Sequence, residues 1–141
     1  MKYVLDTDHM TFLERGGSEG RRVRARLLTI PPHDYATTIV TYEEQMRGWL
    51  SRVAQAHTTE RLIGAYMHLS IHLDVFTGIR VLRFDDRAAT EFERFRRLRP
   101  RIGTQDTKIA AIAMANDATL LSRNLNDFGK DSWTARRGLV R

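Results

Sequence analysis

Four acidic side chains fall where strand-like or helix-like segments begin and end: Asp6, Glu44, Asp106 and Asp127. Each has an ordinary explanation on its own, because carboxylates favour helix N-termini through the backbone dipole and Asp suits turns. As a set they suggest more. Carboxylates that converge repel and raise one another's pKa unless a cation neutralises them. An all-oxygen donor set suits a hard cation such as Mg²⁺, which prefers octahedral geometry and keeps several waters. Such an ion polarises a phosphoryl oxygen, lowers the pKa of bound water and stabilises a leaving oxygen, so the chemistry indicated is phosphodiester hydrolysis.

These acids need elements that bring them to one place. Lys2 to Leu5 form a short apolar strand candidate ending at Asp6, and Asp8 to Arg15 follow with Met10, Phe12 and Leu13 before the Gly16-Gly17 break. Glu19 to Ile30 read as a helix stopped by Pro31-Pro32, and Tyr35 to Val40 as a β-branched strand. Thr41-Tyr42-Glu43-Glu44 matches a capping box opening a helix to about His57, which puts Glu44 in a first turn. A second helix from Thr59 to Thr77 carries Leu62, Tyr66, Leu69, Leu73 and Phe76 as its expected core stripe. Arg80 to Phe84 form a strand, and Asp85 or Asp86 caps a helix to Leu98. Gly103-Thr104 opens a helix over Gln105 to Asn116, Thr119 to Ser122 form a fourth strand, and a last short strand is expected near Leu139-Val140. Strands alternating with helices predict an α/β fold with a parallel sheet covered on both sides. In such a sheet ligands bind beyond the carboxyl ends of the strands, where all four acids fall.

Composition sets the limits. A chain of 141 residues, 42% hydrophobic and 28% charged, fits one domain with a real core and excludes a disordered tail. The absence of cysteine removes disulfide scaffolds, thiolate metal sites and Cys nucleophiles, and makes a reducing, cytoplasmic location the expectation. No apolar run is long enough to span a bilayer, and Asp6 and Asp8 interrupt any signal-like start, so no membrane role is expected. The net charge is +6, and only three of the 23 basic residues are lysine, which leaves 20 arginines. Arginine grips phosphates bidentately, so the surface permits a polyanion partner without proving one.

With these motifs in place, the sequence resembles the PIN-domain ribonucleases of the VapC toxin type. The resemblance rests on Leu5-Asp6-Thr7-Asp8, Thr41-Tyr42-Glu43-Glu44 with Gly48, Gly103-Thr104-Gln105-Asp106 with Ile109 to Ala113, and Ser122-Arg123-Asn124-Leu125-Asn126-Asp127-Phe128. It covers nearly the whole chain, residues 1–141, as a single PIN-like domain. It implies a three-layer α/β/α fold with a mostly parallel central sheet. It also implies a Mg²⁺-dependent endoribonuclease, with Mn²⁺ as an alternative ion, often a homodimer and held inactive by a cognate antitoxin protein.

Under the resemblance, Asp6, Glu44, Asp106 and Asp127 are the catalytic acids, with Asp6 and Asp106 as direct or water-mediated metal ligands. Glu43 remains a rival to Glu44, and Asn124 a rival to Asp127, otherwise serving as an orienting amide. Asp8 is expected to hydrogen-bond beside the site. The hydroxyls of Thr7, Thr104 and Ser122 are placed to fix carboxylate rotamers, although Thr104 could equally be a helix cap. Arg123 is the candidate contact to the scissile phosphate.

Other signals are weaker. His68 and His72 share a helix face but lack the Glu of a zinc-peptidase HExxH, and no phosphate-loop or nucleophile-elbow motif is present. Two readings compete with the nuclease: a non-catalytic RNA- or partner-binding module of the same fold, and an aspartate-nucleophile phosphatase suggested by Asp6-Thr7-Asp8. The phosphatase pattern fails at Met10, where it wants Thr.

Overall fold

The computed structural model describes residues 2–122. Four short strands, β1 (Tyr3–Leu5), β2 (Tyr35–Thr38), β3 (Arg80–Leu82) and β4 (Thr119–Leu121), form one sheet in the order β3-β2-β1-β4. All three strand pairings are parallel. Parallel neighbours require long crossovers, and six helices supply them. These are α1 (Thr7–Arg15) and α2 (Gly17–Leu27), then α3 (Ile39–Gln55) and α4 (Thr59–Thr77), then α5 (Asp86–Leu98) and α6 (Thr104–Ala115).

Alternation along each strand divides the core into two layers. Val4, Ala36, Leu82 and Leu120 face one side, where they pack with Val40, Phe95, Ile109 and Ile112. Tyr3, Leu5, Val81 and Leu121 face the other, with Met10, Val23, Leu27 and Phe76. The result is the three-layer α/β/α arrangement expected from the sequence. Because every strand is parallel, every carboxyl end lies on one edge of the sheet. The chain reverses its direction of addition at β1, and the crevice between β1 and β4 at that edge is where such sheets bind ligands.

Four expectations are corrected. The helix expected over Glu19 to Ile30 runs from Gly17 to Leu27, and the strand expected over Arg80 to Phe84 ends at Leu82. The second strand ends at Thr38, not Val40, because the Thr38 hydroxyl accepts the Thr41 backbone N–H at 3.0 Å and starts the helix at Ile39. Thr41 is therefore inside α3, and Glu44 sits in its second turn. The α4 stripe is also rotated. Its buried residues are Ala65, His72 and Phe76, whereas Leu62, Tyr66 and Leu73 are exposed. Apolar residues surround this helix, including Ile63, Met67 and Ile71, so periodicity alone selects no unique face. The boundaries Thr59–Thr77 and Asp86–Leu98, with Asp85 as cap, agree with the sequence reading. The strand expected near Leu139-Val140 lies outside the described residues.

Between α1 and α2 the chain turns through Gly16 and Gly17, both at positive φ (74° and 73°), a region that favours glycine. Gly20 then lets α2 lie against α1, since a Cβ there would collide with the Phe12 carbonyl oxygen.

Candidate active site at the carboxyl edge of the sheet

Asp6 leaves β1 in extended conformation and caps α1. Its backbone N–H donates to the Leu121 carbonyl at 3.2 Å, which pins it to β4 at the crevice. Its carboxylate Oδ1 accepts the His9 backbone N–H at 2.9 Å and lies 2.8 Å from His9 Nδ1. Both contacts fall on one oxygen, and the side chain is nearly buried.

Thr7 begins α1 and donates its hydroxyl to Glu44 Oε1 at 2.7 Å. The same hydroxyl lies 3.4 Å from Thr41 Oγ1, which bonds to Thr38 Oγ1 at 3.1 Å. A chain of hydroxyls therefore runs beneath the edge from α1 to the start of α3, and it turns Glu44 towards the residue that follows Asp6. Glu43 points elsewhere. It accepts from Gln105 Nε2 at 3.0 Å and from Arg47 at 2.8 Å. The Gln105 hydrogen bond above all holds the Glu43 carboxyl below its ordinary value of 4.5. Removal from water pushes the other way, and the charges of Arg47 and Lys108 add to the lowering.

The Glu43–Gln105 bond ties α3 to the first turn of α6, the turn that carries Asp106. Lys108 Nζ braces Gln105 Oε1 at 3.0 Å. Asp6, Glu44 and Asp106 are thus carried to the same edge by three separate elements. Among the described residues, however, no three His, Cys, Asp or Glu side chains form a group that could hold a metal ion. The oxygen-only chemistry of these donors fits a hard cation. The placement of the described carboxylates does not by itself complete a site for one.

Other predicted residues fall as follows. Ser122 is buried at the end of β4, Asp8 is exposed on α1, and Thr104 is an exposed first residue of α6. Helix α6 is capped by Gly103 without a side-chain bond, so Thr104 is not the cap. Asp127, Asn124 and Arg123 lie outside the described residues. His68 and His72 do not act together: His68 stacks on Trp49 at 5.1 Å, and His72 pairs with Glu14 at 3.0 Å.

Three contributors escape a linear reading. His9 touches Asp6, and reading Asp6 as a helix cap would have pointed to the residue three positions on. Gln105 touches Glu43, with no local signal to announce it. Glu14 on α1 meets His72 on α4, a contact that only the fold creates.

No family model and no curated protein matches the sequence. Solved structures do match in fold. VapBC-1 from nontypeable Haemophilus influenzae is similar with a TM-score of 0.74 and 17% identity, covering 100% of this chain and 97% of that one. VapBC2 from Rickettsia felis, bound to a DNA fragment from its promoter, gives 0.73 and 18% over 100% and 98%. FitAcB from Neisseria gonorrhoeae gives 0.67 and 24% over 90% and 91%. The fold is the PIN-domain fold that the motifs led us to expect.

Proposed function

From this PIN-domain fold and the acids at its sheet edge, we propose that the chain is a metal-dependent endoribonuclease, the toxin of a toxin–antitoxin pair. The observation that supports this reading best is the Thr7–Glu44 hydrogen bond, which joins the acid of α3 to the residue following Asp6. Mg²⁺ or Mn²⁺ would be held by Asp6 and Asp106, with Glu44 and Asp127 completing the acidic set. When bound, such an ion supplies charge neutralisation and a more acidic water.

The chain's own residues do the rest. His9 holds one oxygen of Asp6, which fixes the rotamer of that carboxylate. Thr7 occupies Glu44 Oε1, so the other oxygen of Glu44 is the one that takes a proton from attacking water. Water attacks phosphorus in line, the ribose O3′ leaves and takes a proton from solvent to become the 3′-hydroxyl of the upstream fragment, and the phosphate stays on the 5′ oxygen of the downstream fragment. The arginines, with Arg123 among them, draw in the RNA backbone.

A cognate antitoxin and a second copy of the chain are the proposed protein partners, the latter facing the apolar residues Ile63, Tyr66, Met67 and Ile71 exposed along α4. We also propose a cytoplasmic location, on the absence of cysteine from the sequence. No helix among the described residues is long and apolar enough to cross a membrane.

The deciding experiment is cleavage-site mapping on total RNA with Mg²⁺ or with EDTA, for the wild type, Asp6→Asn and Asp106→Asn. Cleavage by the wild type that EDTA and either substitution abolish supports the assignment; undiminished cleavage by either variant refutes it. The alternative reading is an RNA-binding module of the same fold without turnover. RNA retention without cleavage in Mg²⁺ would establish it.

A further inference from the structure

Between α1 and α3 runs a groove of about 260 Å³ that leads away from the proposed chemistry. At its inner end stand Thr7 and Glu44, so it opens directly from the candidate site. At its outer end stand Arg15, the last residue of α1, and Arg52, in the last turn of α3. Thr7 to Arg15 spans eight helical steps, a groove about 12 Å long. Its volume lies just under the roughly 300 Å³ at which small-molecule pockets begin, the scale of a single nucleotide and too small for a duplex.

The lining suits a nucleobase. Trp49 forms an apolar wall, braced from behind its helix by the parallel ring of His68 at 5.1 Å. The Arg52 guanidinium sits 5.0 Å from the Trp49 ring centre. Aromatic rings and arginine planes are the surfaces on which unpaired bases stack. Opposite them lies a polar floor in which Gln45 bonds to Thr11 Oγ1 at 3.1 Å beside the Glu14 carboxylate. Such a floor offers both donors and acceptors to a base edge.

Gly48 is the most telling residue of the groove. It stands in the interior of α3, where glycine costs about 0.5–1 kcal/mol relative to alanine. Its backbone does not need glycine, because its φ is not positive, and a Cβ there would meet nothing within 4 Å. The fold therefore gains nothing from it. What its missing side chain provides is open space along the groove.

We propose that this groove is a subsite for one unpaired nucleotide of an RNA strand next to the bond to be cut, with the base passing over Gly48 against Trp49 and the outer phosphate on Arg15 and Arg52. The assignment rests on the endoribonuclease reading above. Arginines at the mouth and an aromatic wall favour RNA over a protein segment, and continuity with Glu44 places the nucleotide beside the chemistry.

The test uses the full chain, Mg²⁺ and a labelled RNA dodecamer with hydrolysis-resistant phosphorothioate linkages, followed by fluorescence anisotropy. Gly48→Leu should weaken binding at least tenfold while leaving the melting temperature equal or higher. Arg15→Ala/Arg52→Ala should reduce the slope of log K against log salt by about 0.7, the value for one phosphate contact on a single strand. Wild-type affinity in Gly48→Leu overturns the subsite and leaves the groove to a protein segment. Should that variant not fold, an unchanged salt slope in the arginine pair overturns it instead. A wild type that cleaves ordinary RNA and is matched by both variants refutes this subsite alone, whereas a wild type that neither binds nor cleaves RNA refutes the enzymatic reading with it.

Discussion

Replacing Glu14 by leucine should cost the protein about 3 kcal/mol. Glu14 and His72 have side chains only 6% and 1% exposed, and the carboxylate Oε1 lies 3.0 Å from His72 Nδ1. The Gln45 amide, turned so that its oxygen faces Thr11, also donates to that Oε1 at 3.3 Å. His72 Nε2 has no hydrogen-bond partner among the described residues, so losing Glu14 leaves the whole ring without one. A hydrogen bond to a charged group contributes about 1.5–3 kcal/mol and a neutral one about 1. Their sum, about 2.5–4 kcal/mol, brackets the loss expected when a buried hydrogen-bonded partner is removed. For a chain of this size that is a fall in melting temperature of roughly 10 °C. His72→Phe, which can keep the ring contacts to Tyr42 and Phe76 at 5.3 and 4.6 Å, should destabilise by stranding Glu14. The double variant Glu14→Leu/His72→Phe buries neither a charge nor an orphaned nitrogen. It should recover at least about 2 kcal/mol against the sum of the single losses. Urea unfolding followed by far-ultraviolet circular dichroism measures all four species. Strictly additive losses, or a Glu14→Leu cost below about 1 kcal/mol, would refute the pairing as a structural element.

Glu44→Gln should reduce RNA cleavage at least about a hundredfold, as removal of a proton acceptor does, while Glu43→Gln should leave single-turnover rates within a few-fold of the wild type. In acid the order reverses for stability. The folded Glu43 carboxyl titrates below 4.5, so its contribution is complete above that value and is lost as pH falls through the lowered pKa. Melting curves at descending pH should show the wild type losing an advantage that Glu43→Gln never had. Thr38→Ala, which removes the cap of α3, should cost about 1–2 kcal/mol in urea titrations. Alanine at Gly20 and at Gly48 should have opposite signs. The first meets the Phe12 carbonyl and destabilises, and the second meets nothing and stabilises by about 0.5–1 kcal/mol, measured as a rise in melting temperature.

Much of the frame was legible because local chemistry and global fold agree. Asp85 caps α5 and α4 spans Thr59 to Thr77, both as the sequence indicates, whereas α2 stops at Leu27, short of the Pro31-Pro32 that marks the end of that segment. Asp6 was legible as a strand end, whereas the capping box read at Thr41 put Glu44 one turn too early, because Thr38 and not Thr41 caps α3. Disagreement arose where two local preferences compete. Thr37 to Val40 is a β-branched run that extends a strand on propensity alone, yet the Thr38 hydroxyl closes a helix N-terminus within it. On α4, apolar residues on every side left the buried face to be chosen by what packs against it. The Glu14–His72 and Glu43–Gln105 pairs were invisible because each joins elements far apart in the chain.

The β1–β4 pairing has a consequence for how the chain matures. Tyr3 pairs with Thr119 and Asp6 is pinned by Leu121, so the first strand finds one of its two neighbours only at the far end of the described chain. Closing so long a loop is entropically costly, and contacts of that separation form late in folding. A nascent chain that has left the ribosome only as far as α5 already carries Asp6 and Glu44. It lacks the strand that holds Asp6 in register and the α6 turn that carries Asp106. The edge therefore needs α6 and β4, and a chain terminated upstream of them lacks both the β4 partner of β1 and the turn that carries Asp106.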